Sequence, residues 1–175
     1  MPKIEDLNTE VGAGYWTADG GSIVFVMISE ASRAIYRLSL KTQEISKIPG
    51  SDGMGAPRVS RDGRYLISRR VRNKVMLYDF PTQRWSEFMD GMDYGTPTWS
   101  LDSKFVYMQR KNGDGSVKVV RISVPDGKIE RVLDLKGITL GGYWPDGVDL
   151  LPDNSPLLML DKNAQEIYRL ELRYR

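Results

Sequence analysis

Hydrophobic and polar positions alternate along this chain in short bursts, and the bursts recur in a fixed order. Ser22-Ile23-Val24-Phe25-Val26, Arg64-Tyr65-Leu66-Ile67 and Phe105-Val106-Tyr107-Met108 are rich in β-branched and aromatic side chains and too short for helices. They predict strands. Each follows an aspartate-centred turn: Trp16-Thr17-Ala18-Asp19-Gly20, Val59-Ser60-Arg61-Asp62-Gly63 and Trp99-Ser100-Leu101-Asp102-Ser103. A worn fourth copy, Leu150-Leu151-Pro152-Asp153-Asn154, precedes Leu157-Leu158-Met159-Leu160. No helical period of useful length occurs anywhere.

A second marker follows each turn. Tyr36-Arg37-Leu38-Ser39-Leu40, Met76-Leu77-Tyr78-Asp79-Phe80, Val120-Arg121-Ile122-Ser123-Val124 and Tyr168-Arg169-Leu170-Glu171-Leu172 begin 40, 44 and 48 residues apart. Short strands repeating at this period predict the blades of an all-β propeller. Four four-stranded blades are expected, at about 12–48, 57–88, 96–135 and 147–175. The segment 2–8 supplies the outer strand of the last blade, because it matches the outer-strand runs Glu44 to Ile48, Arg84 to Phe88 and Lys128 to Val132. The turn aspartates lie 43, 40 and 51 residues apart, and the excess falls in the connection Lys136 to Gly147. Trp16 and Trp99 hold equivalent inner-strand positions and are expected to be buried between blades.

The run Pro97 to Val106 (P-T-W-S-L-D-S-K-F-V) resembles the repeat of TolB-like, WD40-like β-propellers. The resemblance extends over essentially the whole chain through a short, degenerate motif. It departs from the family at Val59 and Leu150, where Trp is preferred, and at Ser103 and Asn154, where Gly is preferred. The end of the chain is similar to the last repeats of bacterial multidomain regulators and kinases, which join such a propeller to other domains. The resemblance implies a sensing or scaffold propeller that binds a protein or peptide.

Composition narrows the chemistry. The chain has 175 residues, 41% hydrophobic, with 25 basic and 23 acidic side chains and no cysteine or histidine. Disulfides, thiolate zinc sites and the usual Ser-His-Asp and Cys-His arrangements are thereby excluded within it. A net charge of +2 gives no global field toward nucleic acid, and Tyr65 is the one aromatic residue within the basic run Arg58 to Lys74, too few for interleaved stacking. No apolar stretch reaches the roughly 18–20 residues that span a bilayer, no secretory signal is evident, and the compartment is left open.

Asp19, Asp62, Asp102 and Asp153 each belong to a separate blade, so they read as turn caps rather than as an acid catalyst. Asp114, in Asn112-Gly113-Asp114-Gly115, lacks the ligand pattern of a calcium loop and reads as a hairpin. No metal or cofactor is expected. Arg58, Arg61, Arg64, Arg69, Arg70, Arg72 and Lys74 crowd one blade, as an anion site or as solvated strand faces. The candidate binding residues are Tyr94, Tyr143, Trp144, Arg70 and Arg72, on loops expected at one end of the channel. The reading is a non-catalytic binding module. Its rivals are a carboxylate-pair enzyme of the glycosidase kind and a structural fragment with no ligand. Pairing of 2–8 with Glu166 to Arg173 closes either a four-bladed ring or, across two copies, an eight-bladed one. The steep angles of four blades favour the second.

Overall fold

Alternating side chains need a surface on each side of a strand, and the repeats meet that need by stacking sheet against sheet. A computed structural model describes residues 10–30, 32–70, 74–90, 95–141 and 147–160. The first sheet contains β1 (Glu10–Trp16), β2 (Ser22–Ile28), β3 (Arg33–Ser39) and β4 (Ile45–Lys47). The second contains β5 (Met54–Val59), β6 (Tyr65–Arg70), β7 (Lys74–Asp79) and β8 (Arg84–Asp90). The third contains β9 (Thr98–Trp99), β10 (Phe105–Lys111), β11 (Val117–Ser123) and β12 (Ile129–Asp134), and a last pair joins β13 (Asp149–Leu150) to β14 (Pro156–Leu157). Every sheet is an antiparallel meander with strands in chain order. Across the first turn of each repeat, Trp16 pairs with Ile23, Val59 with Leu66, Trp99 with Val106 and Leu150 with Pro156. The first three copies therefore share one register, and the turn of the fourth is one residue shorter.

Each junction buries one face of each neighbour. Val24 and Ile35 of the first sheet meet Leu66, Met76 and Tyr78 of the second. On the other face of the second sheet, Ile67, Val75 and Leu77 meet Trp99, Val106, Met108, Val120 and Ile122. Tyr107 and Val119 then pack on Val148, Leu150 and Leu158. Each fully buried aliphatic side chain contributes about 1.5–3 kcal/mol relative to exposure, which is why the sheets hold together without disulfides.

The expectation for Trp16 is corrected by the structure. Trp99 is 4% exposed, whereas Trp16 is 62% exposed. The cause is position in the array. Trp99 lies against the preceding sheet and its Nε1 donates to the Arg58 carbonyl at 3.0 Å. No sheet precedes the first among the described residues, so the same position stays open there. Among the described residues there are three four-stranded sheets and one pair, not closed into a ring, and the other strands expected of the fourth blade lie outside the described residues. The segments 2–8 and 166–173, expected to pair, lie outside the described residues.

The aspartate turns are built alike. Asp19, Asp62, Asp102 and Asp153 accept through Oδ1 from the amides of Gly21, Arg64, Lys104 and Ser155 at 3.0, 3.0, 3.1 and 2.8 Å. Thr17, Ser60 and Ser100 hydroxyls donate to the first three at 2.6–2.7 Å. The next residue is left-handed in every copy, with φ of 65° at Gly20, 74° at Gly63, 59° at Ser103 and 63° at Asn154. Ser103 and Asn154 offset the strain of that conformation with bonds to the preceding repeat. Ser103 Oγ accepts from the Asp62 amide, and Asn154 Oδ1 from the Leu101 amide, each at 3.0 Å.

Candidate functional site

Counting back from the turn aspartates aligns one residue in the first strand of each sheet, and the four side chains there differ. The residue before each aligned position is Tyr15 in β1, Arg58 in β5, Thr98 in β9 and Asp149 in β13. Arg58, Thr98 and Asp149, with Trp16, Ala18 and Arg61, line a cavity of about 420 Å³. That volume falls within the roughly 300–1,000 Å³ of small-molecule sites.

Arg58 is the centre of the arrangement. It follows a bulge in β5, where the register shifts between Gly55 and Arg58 and Ala56 has φ of 50°. Bulges re-aim the side chains that follow them, and a left-handed alanine is strained by about 1–3 kcal/mol. The guanidinium carbon sits 3.8 Å from the Tyr15 ring centroid, a cation–π contact across the first junction. Its Nη1 donates to the Pro57 carbonyl at 3.2 Å. Burial pushes the Arg58 pKa down, and Tyr15 and then Asp149 oppose that shift. No carboxylate among the described residues comes within ion-pairing distance of Arg58.

The other members are also held. Thr98 Oγ1 donates to the Val148 carbonyl, which leaves its oxygen lone pairs as acceptors. Gln109 Nε2 fixes the same segment through the Gly147 carbonyl at 2.8 Å. Asp149 is exposed and is the sole carboxylate lining the cavity among the described residues. A smaller cavity of about 250 Å³ lies between the first two turns, lined by Thr17, Asp19, Arg37, Asp62 and Phe80. Its carboxylates are engaged in the turns that form it.

The site residues named from sequence fall elsewhere. Arg70 is exposed at the far end of β6, paired with Met54, whereas the cavity lies at the Val59 end of the same sheet. Tyr94, Tyr143, Trp144 and Arg72 lie outside the described residues. The basic run disperses: Arg58 and Arg61 line the cavity, Arg64 stands 3.8 Å from Asp79, and Lys74 pairs with Glu87 at 2.6 Å. Asp114 closes its hairpin by accepting from the Ser116 amide at 2.9 Å and the Ser116 hydroxyl at 2.6 Å. Sequence reasoning missed Arg58 and Asp149 as neighbours. The signal was present in the aligned repeats, where the residue before the aligned tryptophan is different and polar in every copy.

The sequence matches no family model and no curated relative. Solved structures do match. TolB from Acinetobacter baumannii has a TM-score of 0.68 at 22% identity, over 89% of this chain and 39% of that one. The fold is that of TolB-like β-propellers. The propeller domain of the Trilobed protease from Pyrococcus furiosus, described as having an open velcro topology, matches with a TM-score of 0.61 at 13% identity, over 78% of this chain and 46% of its own. Oligogalacturonate lyase from Vibrio parahaemolyticus gives 0.58 at 15% identity, over 68% and 38%. The chain spans less than half the length of each of these three proteins. The cavity is lined from the first strand of each sheet, β1, β5, β9 and β13, the strand that lies nearest the axis in a closed propeller.

Proposed function

We propose that this propeller is a non-catalytic binding module that takes its ligand in the cavity around Arg58. The observation that carries the reading is the mixed polar layer itself: a cation on an aromatic ring, a hydroxyl, and one carboxylate. Glycosidase chemistry needs two carboxyl groups roughly 5–9.5 Å apart across the substrate. Among the described residues, Asp149 is the one carboxylate that lines the cavity. The similar structures include a lyase and a protease domain as well as TolB, so the fold does not choose, and the reading rests on the site. Ligand-observed NMR with a fragment library tests it. Binding should be lost when Arg61 and Thr98, which both line the cavity, are replaced by bulky residues. Turnover of a glycoside or uronide substrate that Asp149→Asn abolishes would overturn it.

A protein partner is also part of the proposal, and a second copy of the chain is the partner the surface favours. The first sheet leaves Trp16 62% exposed at a position that is buried in the third. The fourth repeat exposes Leu157 at 52% and Met159 at 67%. Apolar ends of this kind invite stacking of another blade. Light scattering of the full chain should show a dimer at micromolar concentration, and a monomer throughout removes this reading. No helix among the described residues is long and apolar enough to cross a membrane.

A further inference from the structure

We infer that the cavity recognises a zwitterion, a free amino acid or short peptide whose carboxylate is held by Arg58 and whose ammonium is taken by Asp149 and the Thr98 hydroxyl oxygen. The inference deepens the proposed binding function and rests on the cavity being the ligand site.

Three observations carry it. First, two cations, Arg58 and Arg61, and one carboxylate, Asp149, line the cavity among the described residues, and the carboxylate pairs with neither. Opposite charges that line one cavity without pairing match a molecule that carries both.

Second, Arg58 is prepared for a planar acceptor. Its guanidinium lies over Tyr15 at 3.8 Å and donates to the Pro57 carbonyl at 3.2 Å. Stacking covers a face of the group and leaves its edge, which offers the paired N–H geometry that a carboxylate accepts. A partly buried cation without a carboxylate is costly, and a ligand oxygen pair relieves that cost. The strained bulge at Ala56 delivers this side chain, and such strain is typical where a group must be aimed.

Third, Asp149 and Thr98 accept rather than donate. Asp149 is an acceptor when ionised, and Thr98 has its hydroxyl proton committed to the Val148 carbonyl. An ammonium fits both. The exposed Trp16 ring, lining the same cavity, offers an apolar or cation–π wall beside it.

Trialanine, its C-terminal amide, its N-acetyl form and the doubly blocked peptide distinguish the parts, with alanine separating a free amino acid from a peptide. Binding to the full chain is read by calorimetry and by the Trp16 share of fluorescence, assigned with Trp16→Phe. Trialanine or alanine should bind. Amidation should weaken binding at least tenfold, and Arg58→Gln should cause the same loss and remove the difference between acid and amide. Acetylation should weaken binding several-fold, and Asp149→Asn should make the protein indifferent to it. Arg58→Lys keeps the charge without the fork and should fall between, which covers the case in which Arg58→Gln does not fold. Equal affinity for acid and amide overturns the carboxylate assignment. If the doubly blocked peptide binds as tightly as trialanine and still perturbs Trp16, the cavity survives as a site and the zwitterion does not. If no probe perturbs Trp16, both fall.

Discussion

Replacing Trp99 by alanine compares two copies of one sequence position under opposite burial. Trp99 is 4% exposed in the core between the second and third sheets. Deleting such a ring costs about 3–5 kcal/mol through lost transfer energy and the cavity left behind. Its Nε1 also satisfies the Arg58 carbonyl, and orphaning that acceptor adds about 1–3 kcal/mol, part of which the first figure already contains. A total of about 4 kcal/mol, at roughly 2–4 °C per kcal/mol for a chain of this size, lowers Tm by about 8–16 °C. Trp16→Ala removes a ring that is 62% exposed and should stay within about 0.5 kcal/mol of the parent. Urea and thermal unfolding followed by circular dichroism, at protein concentrations below any self-association, measure both. Trp99→Phe keeps part of the packing and should fall between them. Equal losses for Trp99→Ala and Trp16→Ala would refute the claim that position in the array decides burial.

Further outcomes follow from the turns and junctions. Gly127→Ala should destabilise by more than about 1 kcal/mol in urea unfolding, because φ is 66° and a Cβ there would stand 2.7 Å from the Phe88 carbonyl oxygen. Ser103→Ala should be worse than Ser103→Gly, since alanine keeps the left-handed strain while losing the bond to the Asp62 amide, and glycine loses only the bond. The Ser100 hydroxyl first, then the Lys104 amide, hold the Asp102 carboxyl below its ordinary value of 3.8. The ionised form is therefore favoured on folding, and its contribution is complete above pH 3.8 and lost as pH falls through the lower folded value. Acid titration of Asp102→Asn should show a shallower loss of stability in that window than the parent shows.

Much of the architecture is legible in the sequence because it is written locally. Alternation marks the strands, and Asp-Gly, Asp-Ser and Asp-Asn mark turns whose second residue must accept positive φ. The aligned pairs from Trp16 and Ile23 to Leu150 and Pro156 follow from those signals. Burial of Trp16 was misread for a physical reason: a repeat motif says what a position can pack against, while its place in the array says whether anything is there. The cavity was harder still. Tyr15, Arg58, Thr98 and Asp149 lie 43, 40 and 51 residues apart and share no chemistry. Only their common distance from the turn aspartates aligns them, and the bulge that aims Arg58 has no marker beyond Ala56-Pro57.

The two side chains that stitch the turns make the junctions individually observable in solution. The Asp62 amide is held by Ser103, 41 residues later, and the Leu101 amide by Asn154, 53 residues later. Each proton is paired across a junction and not within its own sheet. Its exchange with deuterated solvent therefore times the opening of that junction rather than the melting of a blade. In an array whose neighbours cooperate through shared faces, slower exchange at Asp62 than at Leu101 would show the last pair undocking while the second and third sheets remain joined. The reverse order would show the chain parting at its middle.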